Sequence, residues 1–144
     1  MQALASVRQG DALPRSHTIL LAEDSTDLRT LLAGALEADG HRVLQVASGT
    51  ELLETARRVL HGGEEGGGLD LVVCDVRMPG MTGIAALHLL RGAGLRVPAI
   101  VITGFSDATT RAEAAANDAT VLDKPVKLAT LRALARQALS TTHP

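Results

Sequence analysis

The stretch LDLVVCDVRMPGMTG, residues 69–83, indicates the fold. It opens with a short apolar run, residues 71–74, whose β-branched side chains predict a buried strand. The run ends on a carboxylate, Asp75, and the proline and glycines that follow predict a loop. In open α/β sheets, ligand sites form at the edge where the strands have their carboxyl ends, so Asp75 is the first candidate functional residue.

Four other segments repeat this pattern of a short apolar run. They read HTILLA, RVLQVA, VPAIVIT and TVL and occupy residues 17–22, 42–47, 97–103 and 120–122. Each of the five runs is followed by a helical pattern, and such alternation predicts a parallel sheet covered on both faces. Five units are too few for a closed eight-stranded barrel. The predicted class is therefore α/β: a doubly wound five-stranded parallel sheet in order 2-1-3-4-5, flavodoxin-like, with five flanking helices.

The predicted helices differ in their signals. Ser25 or Thr26 can cap the first helix, and residues 48–51, SGTE, form a capping box for the second. The fourth helix, predicted over residues 106–116, has an inward face made almost entirely of alanine. We therefore expect its packing against the sheet to be thin.

Composition and charge restrict the class of protein. The 144 residues, 46% hydrophobic and 21% charged, fit one globular domain. The net charge of −2 offers no basic field for nucleic acid and no polybasic patch for a membrane surface. No apolar run approaches the ~20 residues of a membrane span. The single cysteine, Cys74, excludes a disulfide framework and fits a reducing compartment, so we expect a cytoplasmic location.

Three segments lie outside the strand–helix pattern. Residues 1–16 show no periodicity and are expected to form a flexible N-terminal tail, and residues 141–144 a short C-terminal tail. Residues 61–68, HGGEEGGG, invite comparison with a phosphate-cradling loop. No Lys-Ser/Thr follows them, and they precede a strand rather than open a helix, so we interpret them as a flexible connection.

Polar side chains collect where the predicted strands end. In the predicted order, strands one, three, four and five are neighbours, so their ends meet at one edge of the sheet. That edge receives three carboxylates, a hydroxyl and an ammonium, from Glu23, Asp24, Asp75, Thr103 and Lys124. Any one of these alone is an ordinary cap or turn residue, whereas the set requires several coincidences at one place.

Clustered carboxylates repel one another unless a cation lies between them. Oxygen ligands favour a hard ion, Mg²⁺ above all, and the five histidines show no spacing suited to zinc. A cation together with Lys124 and the Thr103 hydroxyl would neutralise and orient a phosphoryl group on an attacking carboxylate. That is the arrangement of aspartyl-phosphate chemistry.

The chain resembles the receiver domains of two-component response regulators. The matching motifs are LLAEDS with the acidic pair, DVRMPGMTG beginning at Asp75, VITGF with Thr103, and LDKPV with Lys124 and Pro125. They occur in the family's order over residues 17–140, which we interpret as the receiver domain. Each motif alone is weak, but the set is highly specific.

The resemblance implies a role for each matching residue. Asp75 would be the phosphoacceptor, taking its phosphoryl group from a sensor histidine kinase or a histidine phosphotransfer protein. Asp24 would bind Mg²⁺ directly, Glu23 would assist, and Asp75 and the backbone carbonyl of Arg77 would complete the protein ligands. Thr103 and Lys124 would bond the phosphoryl oxygens. By the same resemblance, the bond before Pro125 would be cis and aim the lysine inward.

Departures from the family pattern concern the readout more than the chemistry. Val121 stands where the family usually has an aromatic residue that moves together with the residue matching Thr103. We therefore expect the conformational change on phosphorylation to involve the alanine-lined helix after Phe105 instead. Arg77 and Phe105 occupy variable positions beside the acceptor and are expected to tune the lifetime of the acyl phosphate. Asn117 replaces a common glycine, and we expect it to take a left-handed conformation.

The predicted function is a phosphorylation-dependent signalling switch rather than a metabolic enzyme, one that catalyses only its own phosphorylation and dephosphorylation. We expect a single-domain regulator or phosphorelay intermediate that binds a downstream protein through its last two helices and fifth strand, with no direct nucleic-acid or membrane contact. The alternatives are a receiver module of a larger regulator or hybrid kinase, and a receiver-like module that is never phosphorylated. An aspartyl-nucleophile phosphatase is disfavoured by Arg77, and a flavodoxin by the lack of aromatic residues.

Overall fold

The computed structural model describes residues 16–61 and 68–140. Within these residues, five parallel strands form one sheet in the order β2-β1-β3-β4-β5, which confirms the predicted topology. The strands are β1 Thr18–Ala22, β2 Arg42–Val46, β3 Leu71–Asp75, β4 Ala99–Thr103 and β5 Ala119–Asp123. The two predicted tails lie outside the described residues, apart from residue 16, as does most of the glycine-rich connection.

Five helices connect and cover the strands. They are α1 Thr26–Ala38, α2 Gly49–Leu60, α3 Gly83–Gly92, α4 Ala108–Ala116 and α5 Leu128–Ser140. The predicted caps are present: the side chain of Ser25 accepts the Leu28 amide, and that of Ser48 accepts the Glu51 amide. None of the helices in the described ranges is long and apolar enough to cross a membrane.

The sheet is covered on both faces, and its strands divide their side chains between two apolar clusters. Helices α2, α3 and α4 pack on one face, over alternate strand residues such as Val72 and Cys74. Helices α1 and α5 pack on the other, over Leu71 and Val73. Every residue of β3 is buried. At about 2 kcal/mol for each fully buried large aliphatic side chain, this double cover fixes the register of β3 and hence the position of its terminal carboxylate.

Two details of α4 differ from the sequence-based expectations. The helix begins at Ala108 rather than at residue 106, because the Asp107 side chain accepts the Thr110 amide and so caps the helix there. The left-handed residue is Asp118, with φ of 54°, whereas Asn117 has φ of −110°. The Asn117 amide group is occupied in donating to the Glu113 carbonyl, so the turn is completed one residue later. Only Ala114 of α4 is buried, as its thin alanine face predicts.

Two glycines permit close approaches near the end of β3. A Cβ at Gly83 would overlap the carbonyl oxygen of Asp75, and a Cβ at Gly49 would overlap that of Met81. The N-termini of α3 and α2 therefore press against the loop that follows Asp75, which restricts where that loop can lie.

Candidate functional site

The carboxyl edge of the sheet carries the three carboxylates, the hydroxyl and the ammonium that the sequence places there. Asp75 and Thr103 are the last residues of β3 and β4, the acidic pair follows β1, and Lys124 follows β5. Asp75 lies beside Ile102 in the parallel register, and Thr103 lies beside Asp123. The alignment of four neighbouring strand ends thus gathers residues that are as many as 101 positions apart in sequence.

Three carboxylates form an acidic cluster, defined as Glu23, Asp24 and Asp75. Each offers an oxygen, and these oxygens all lie within 4.8 Å of one another. Glu23 and Asp75 are buried, at 1% and 2% exposure, while Asp24 is exposed. Burial raises the pKa of Glu23 to about 7, and the neighbouring carboxylate of Asp75 adds to the rise. The cluster is therefore suited to a positive partner.

The Glu23 side chain supplies a direct test of whether a cation fits this cluster. Its Oε2 accepts the Ser25 amide at 2.9 Å. Its Oε1 is buried and has no hydrogen-bond donor among the described residues, with the Lys124 ammonium at 3.9 Å. A buried carboxylate oxygen without a donor is costly unless a cation satisfies it. An all-oxygen set of ligands fits a hard divalent ion such as Mg²⁺.

Lys124 lies against the acidic cluster from the other side. Its Nζ donates to Asp75 Oδ2 at 2.5 Å, and its backbone amide donates to the Thr103 carbonyl at 2.8 Å. Burial opposes the ammonium charge, but the hydrogen bond to Asp75 and the charge of that carboxylate outweigh it and raise the pKa of Lys124. The Lys124–Pro125 peptide bond is cis, as the resemblance implies.

Both carboxylate oxygens of Asp75 are engaged. Oδ2 accepts from Lys124, and Oδ1 accepts the backbone amide of Arg77 at 3.1 Å. The adjacent thiol is inert, since burial raises the pKa of Cys74 to about 12. Asp75 is thus a fixed carboxylate in contact with an ammonium. The role of the Arg77 carbonyl as a metal ligand remains a prediction.

Thr103 is buried, and its hydroxyl is bonded to its own loop. Oγ1 accepts the Phe105 amide at 3.0 Å and donates to the Phe105 carbonyl at 3.1 Å. Phe105, the only aromatic residue in the chain, is 62% exposed. Val121, where the family usually has an aromatic, is half-buried on β5. Any new partner for the Thr103 hydroxyl must therefore compete with the Phe105 carbonyl.

Two residues that the sequence did not indicate hold the acidic pair. The Ser25 amide fixes the Glu23 carboxylate, and the Arg29 guanidinium donates to the Glu23 carbonyl oxygen at 2.7 Å. The sequence marks Ser25 only as a helix cap. No periodicity or motif pairs Arg29 with a residue six positions earlier.

A cavity of about 840 Å³ lies at the opposite, amino-terminal edge of the sheet, away from the acidic cluster. Its walls combine apolar residues such as Leu69 and Leu95 with charged ones such as Asp70 and Arg96. The Arg91 guanidinium at its rim is occupied with the carbonyls of Leu95, Val97 and Asn117. This cavity holds none of the predicted site residues.

Comparison with known proteins finds one matching family model and several similar chains. The family model described as response regulator receiver domain matches residues 19–136. The chain is 33% identical over 126 residues to the transcriptional regulatory protein ZraR of Escherichia coli (strain K12), covering 87% of this chain and 27% of that protein. It is 34% identical over 134 residues to the sensor kinase CckA of Brucella abortus, covering 92% of this chain and 14% of that protein.

Similarity extends to solved structures. The chemotaxis protein CheY4 of Vibrio cholerae superposes with a TM-score of 0.75 at 26% identity, over 87% of this chain and all of that one. The chain therefore matches the whole of a small solved protein, whereas it spans only about a quarter of ZraR and a smaller part of CckA.

Proposed function

The chain belongs to the response regulator receiver family, and we propose that it is a phosphorylation-dependent signalling switch whose phosphoacceptor is Asp75. The phosphodonor would be the phosphohistidine of a sensor histidine kinase or of a histidine phosphotransfer protein. The observation that carries the proposal is the meeting of three carboxylates with one ammonium at the strand ends, where Lys124 contacts Asp75 and a buried Glu23 oxygen has no donor.

The chemistry is a transfer of phosphoryl between two side chains. A carboxylate oxygen of Asp75 attacks the phosphorus as the phosphorus–nitrogen bond to the donor imidazole breaks. The bonding pair returns to the imidazole nitrogen, and the product is an acyl phosphate on Asp75. The Lys124 ammonium, already in contact with Asp75, is placed to bond a phosphoryl oxygen, and the Thr103 hydroxyl to bond another by leaving the Phe105 carbonyl.

The proposed cofactor is Mg²⁺, which when bound supplies charge neutralisation for the transferring phosphoryl group. Asp24 would bind it directly, with Glu23, Asp75 and the Arg77 backbone carbonyl as the other protein ligands. The buried Oε1 of Glu23 supports this assignment, because no hydrogen-bond donor among the described residues reaches it and the Lys124 ammonium is 3.9 Å away. In this proposal the chain catalyses only its own phosphorylation and dephosphorylation.

Arg77 and Phe105 flank the acceptor and are proposed to set the lifetime of the acyl phosphate by screening attacking water. The Arg77 amide is bonded to Asp75, and the Phe105 backbone to Thr103. Because each alanine variant, Arg77→Ala or Phe105→Ala, loses a screening side chain, its acyl phosphate on Asp75 should hydrolyse faster than that of the wild type. Unchanged lifetimes in both variants would eliminate this role.

The readout is proposed to run through the loop at Phe105 and into α4. When Thr103 exchanges the Phe105 carbonyl for a phosphoryl oxygen, the loop loses a hydrogen bond. Helix α4 follows directly and buries a single residue, Ala114, so its displacement costs little. Val121 and Pro125 border this region, and the downstream partner would bind the face of α4, β5 and α5.

Two settings are compatible with this switch. One is a single-domain regulator or phosphorelay intermediate, because the chain matches the whole of the solved CheY4 chain. The other is the receiver module of a larger regulator or hybrid kinase, since the chain matches only part of ZraR and CckA. In either setting we propose that the domain works in the cytoplasm.

The experiment is intact-mass spectrometry after incubation with Mg²⁺ and phosphoramidate, a small donor with a phosphorus–nitrogen bond. We expect one phosphoryl adduct, lost with EDTA and in Asp75→Asn. Asp118→Asn, the same change at the opposite edge of the sheet, is the control and should keep the adduct. No adduct would indicate a receiver-like module that is not phosphorylated, and sustained turnover of a phosphate ester would indicate a phosphatase.

A further inference from the structure

Arg29 makes a side-chain hydrogen bond to the backbone just before α1, and formation of that helix does not depend on this bond. Its backbone amide belongs to α1 and donates to the Ser25 carbonyl at 2.8 Å. Its half-buried side chain folds back past the first turn, and Nη1 donates to the Glu23 carbonyl oxygen at 2.7 Å. The guanidinium thus holds the peptide that joins Glu23 to Asp24.

That peptide is the link between two members of the acidic cluster. Because a peptide unit is planar, a fixed orientation of the Glu23 carbonyl also fixes the positions of the backbone N and Cα atoms of Asp24. The Glu23 amide is held from the other side by the Val46 carbonyl at 3.1 Å. With the Ser25 amide on Oε2, Glu23 is bound at every polar atom except the buried Oε1.

The contact is not needed to start the helix. Helix α1 has its own cap, since Ser25 Oγ accepts the Leu28 amide. A carbonyl just ahead of a helix can also be satisfied by water. The distinctive effect of Arg29 is therefore on the acidic pair rather than on α1.

We propose that Arg29 is a positioning residue for the cation site, acting through the Glu23–Asp24 peptide to keep the two carboxylates converged with Asp75. This inference rests on the proposed function, because it assumes that the acidic cluster holds a divalent cation. Groups that orient metal ligands typically change metal affinity by about 10–100-fold when they are removed. An effect near the lower end is expected, since Arg29 acts through the backbone.

The test uses Arg29→Met, which keeps much of the stem and removes the donor. The affinity for Mn²⁺, measured from the electron paramagnetic resonance signal of the free ion, should fall by about tenfold. The urea midpoint in EDTA should stay near that of the wild type. The phosphorylation rate should fall at low Mg²⁺ and recover at saturating Mg²⁺. Arg58→Met, the same charge change at an exposed site on α2, is the control and should bind Mn²⁺ like the wild type.

Arg29→Lys retains a donor that can bond the carbonyl and should restore most of the affinity, which keeps the test decisive if the methionine variant folds poorly. Arg29→Met binding Mn²⁺ as tightly as the wild type would overturn the inference. So would a lysine variant as weak as the methionine one, or a rate that saturating Mg²⁺ does not restore. If the wild type itself neither binds Mn²⁺ nor accepts phosphoryl, the proposed function fails instead.

Discussion

Glu23 should destabilise the protein when no metal is present. Its pKa lies at about 7 in the folded protein, against an ordinary value of 4.5, because of burial and the neighbouring Asp75. Between these two pH values the native state holds a proton that the unfolded chain has lost, so stability falls as pH rises through this window. Above pH 7 the full cost applies, and at about 1.4 kcal/mol per pKa unit it amounts to about 3 kcal/mol.

Glu23→Gln removes this charge while keeping a side-chain oxygen that can accept the Ser25 amide. In EDTA at pH 8, we expect the variant to be more stable than the wild type by up to about 3 kcal/mol. The difference should shrink as pH falls through 7 and approach zero near pH 4.5. Saturating Mg²⁺ should reduce or reverse the difference at pH 8, because the ion stabilises a native state that binds it.

Urea denaturation at several pH values, with EDTA and with Mg²⁺, measures these free energies of unfolding. Glu54→Gln, an exposed glutamate on α2, makes the same change of charge and should shift stability by at most about 0.5 kcal/mol. A Glu23→Gln variant no more stable than the wild type at pH 8 in EDTA would contradict a destabilising charge at Glu23. A gain of equal size at every pH would refute it as well.

Three further changes test contacts that hold the fold together, one at the amino-terminal edge of the sheet and two near the site. Arg91→Met removes a half-buried guanidinium that bonds three backbone carbonyls, and it should lower the free energy of unfolding in urea by about 2–3 kcal/mol. Asp107→Ala removes the cap of α4 and should cost about 1 kcal/mol, with faster amide exchange confined mainly to that helix. Gly49→Ala places a Cβ against the Met81 carbonyl and should destabilise by roughly 1–3 kcal/mol in urea, slowing phosphorylation by displacing the loop after Asp75.

The fold could be predicted from the sequence because it depends mainly on local patterns of apolar and polar residues. Short apolar runs that alternate with amphipathic segments allow few sheet topologies, and the observed order is the predicted one. Topology then brings the strand ends together, so the acidic cluster and Lys124 could be predicted without knowledge of side-chain contacts.

The rest depends on backbone groups that carry no signature in the sequence. The bond from Arg29 to the Glu23 carbonyl and the bonds from Thr103 to the Phe105 backbone join a side chain to a peptide group, which every residue possesses. The prediction of a left-handed conformation at Asn117 was wrong for a similar reason. The Asn117 side-chain amide donates to the Glu113 carbonyl in α4, and Asp118 is the left-handed residue.

Whether Asp75 is the residue that carries the phosphoryl group is tested most directly by chemical trapping. Sodium borohydride reduces an acyl phosphate to an alcohol, which converts a phosphorylated aspartate into homoserine, and peptide mapping then locates it. After reaction with phosphoramidate and Mg²⁺, we expect homoserine at position 75 and at no other position. Homoserine at position 24 instead, or a phosphoryl adduct that yields no homoserine, would contradict the assignment of Asp75 as the phosphoacceptor.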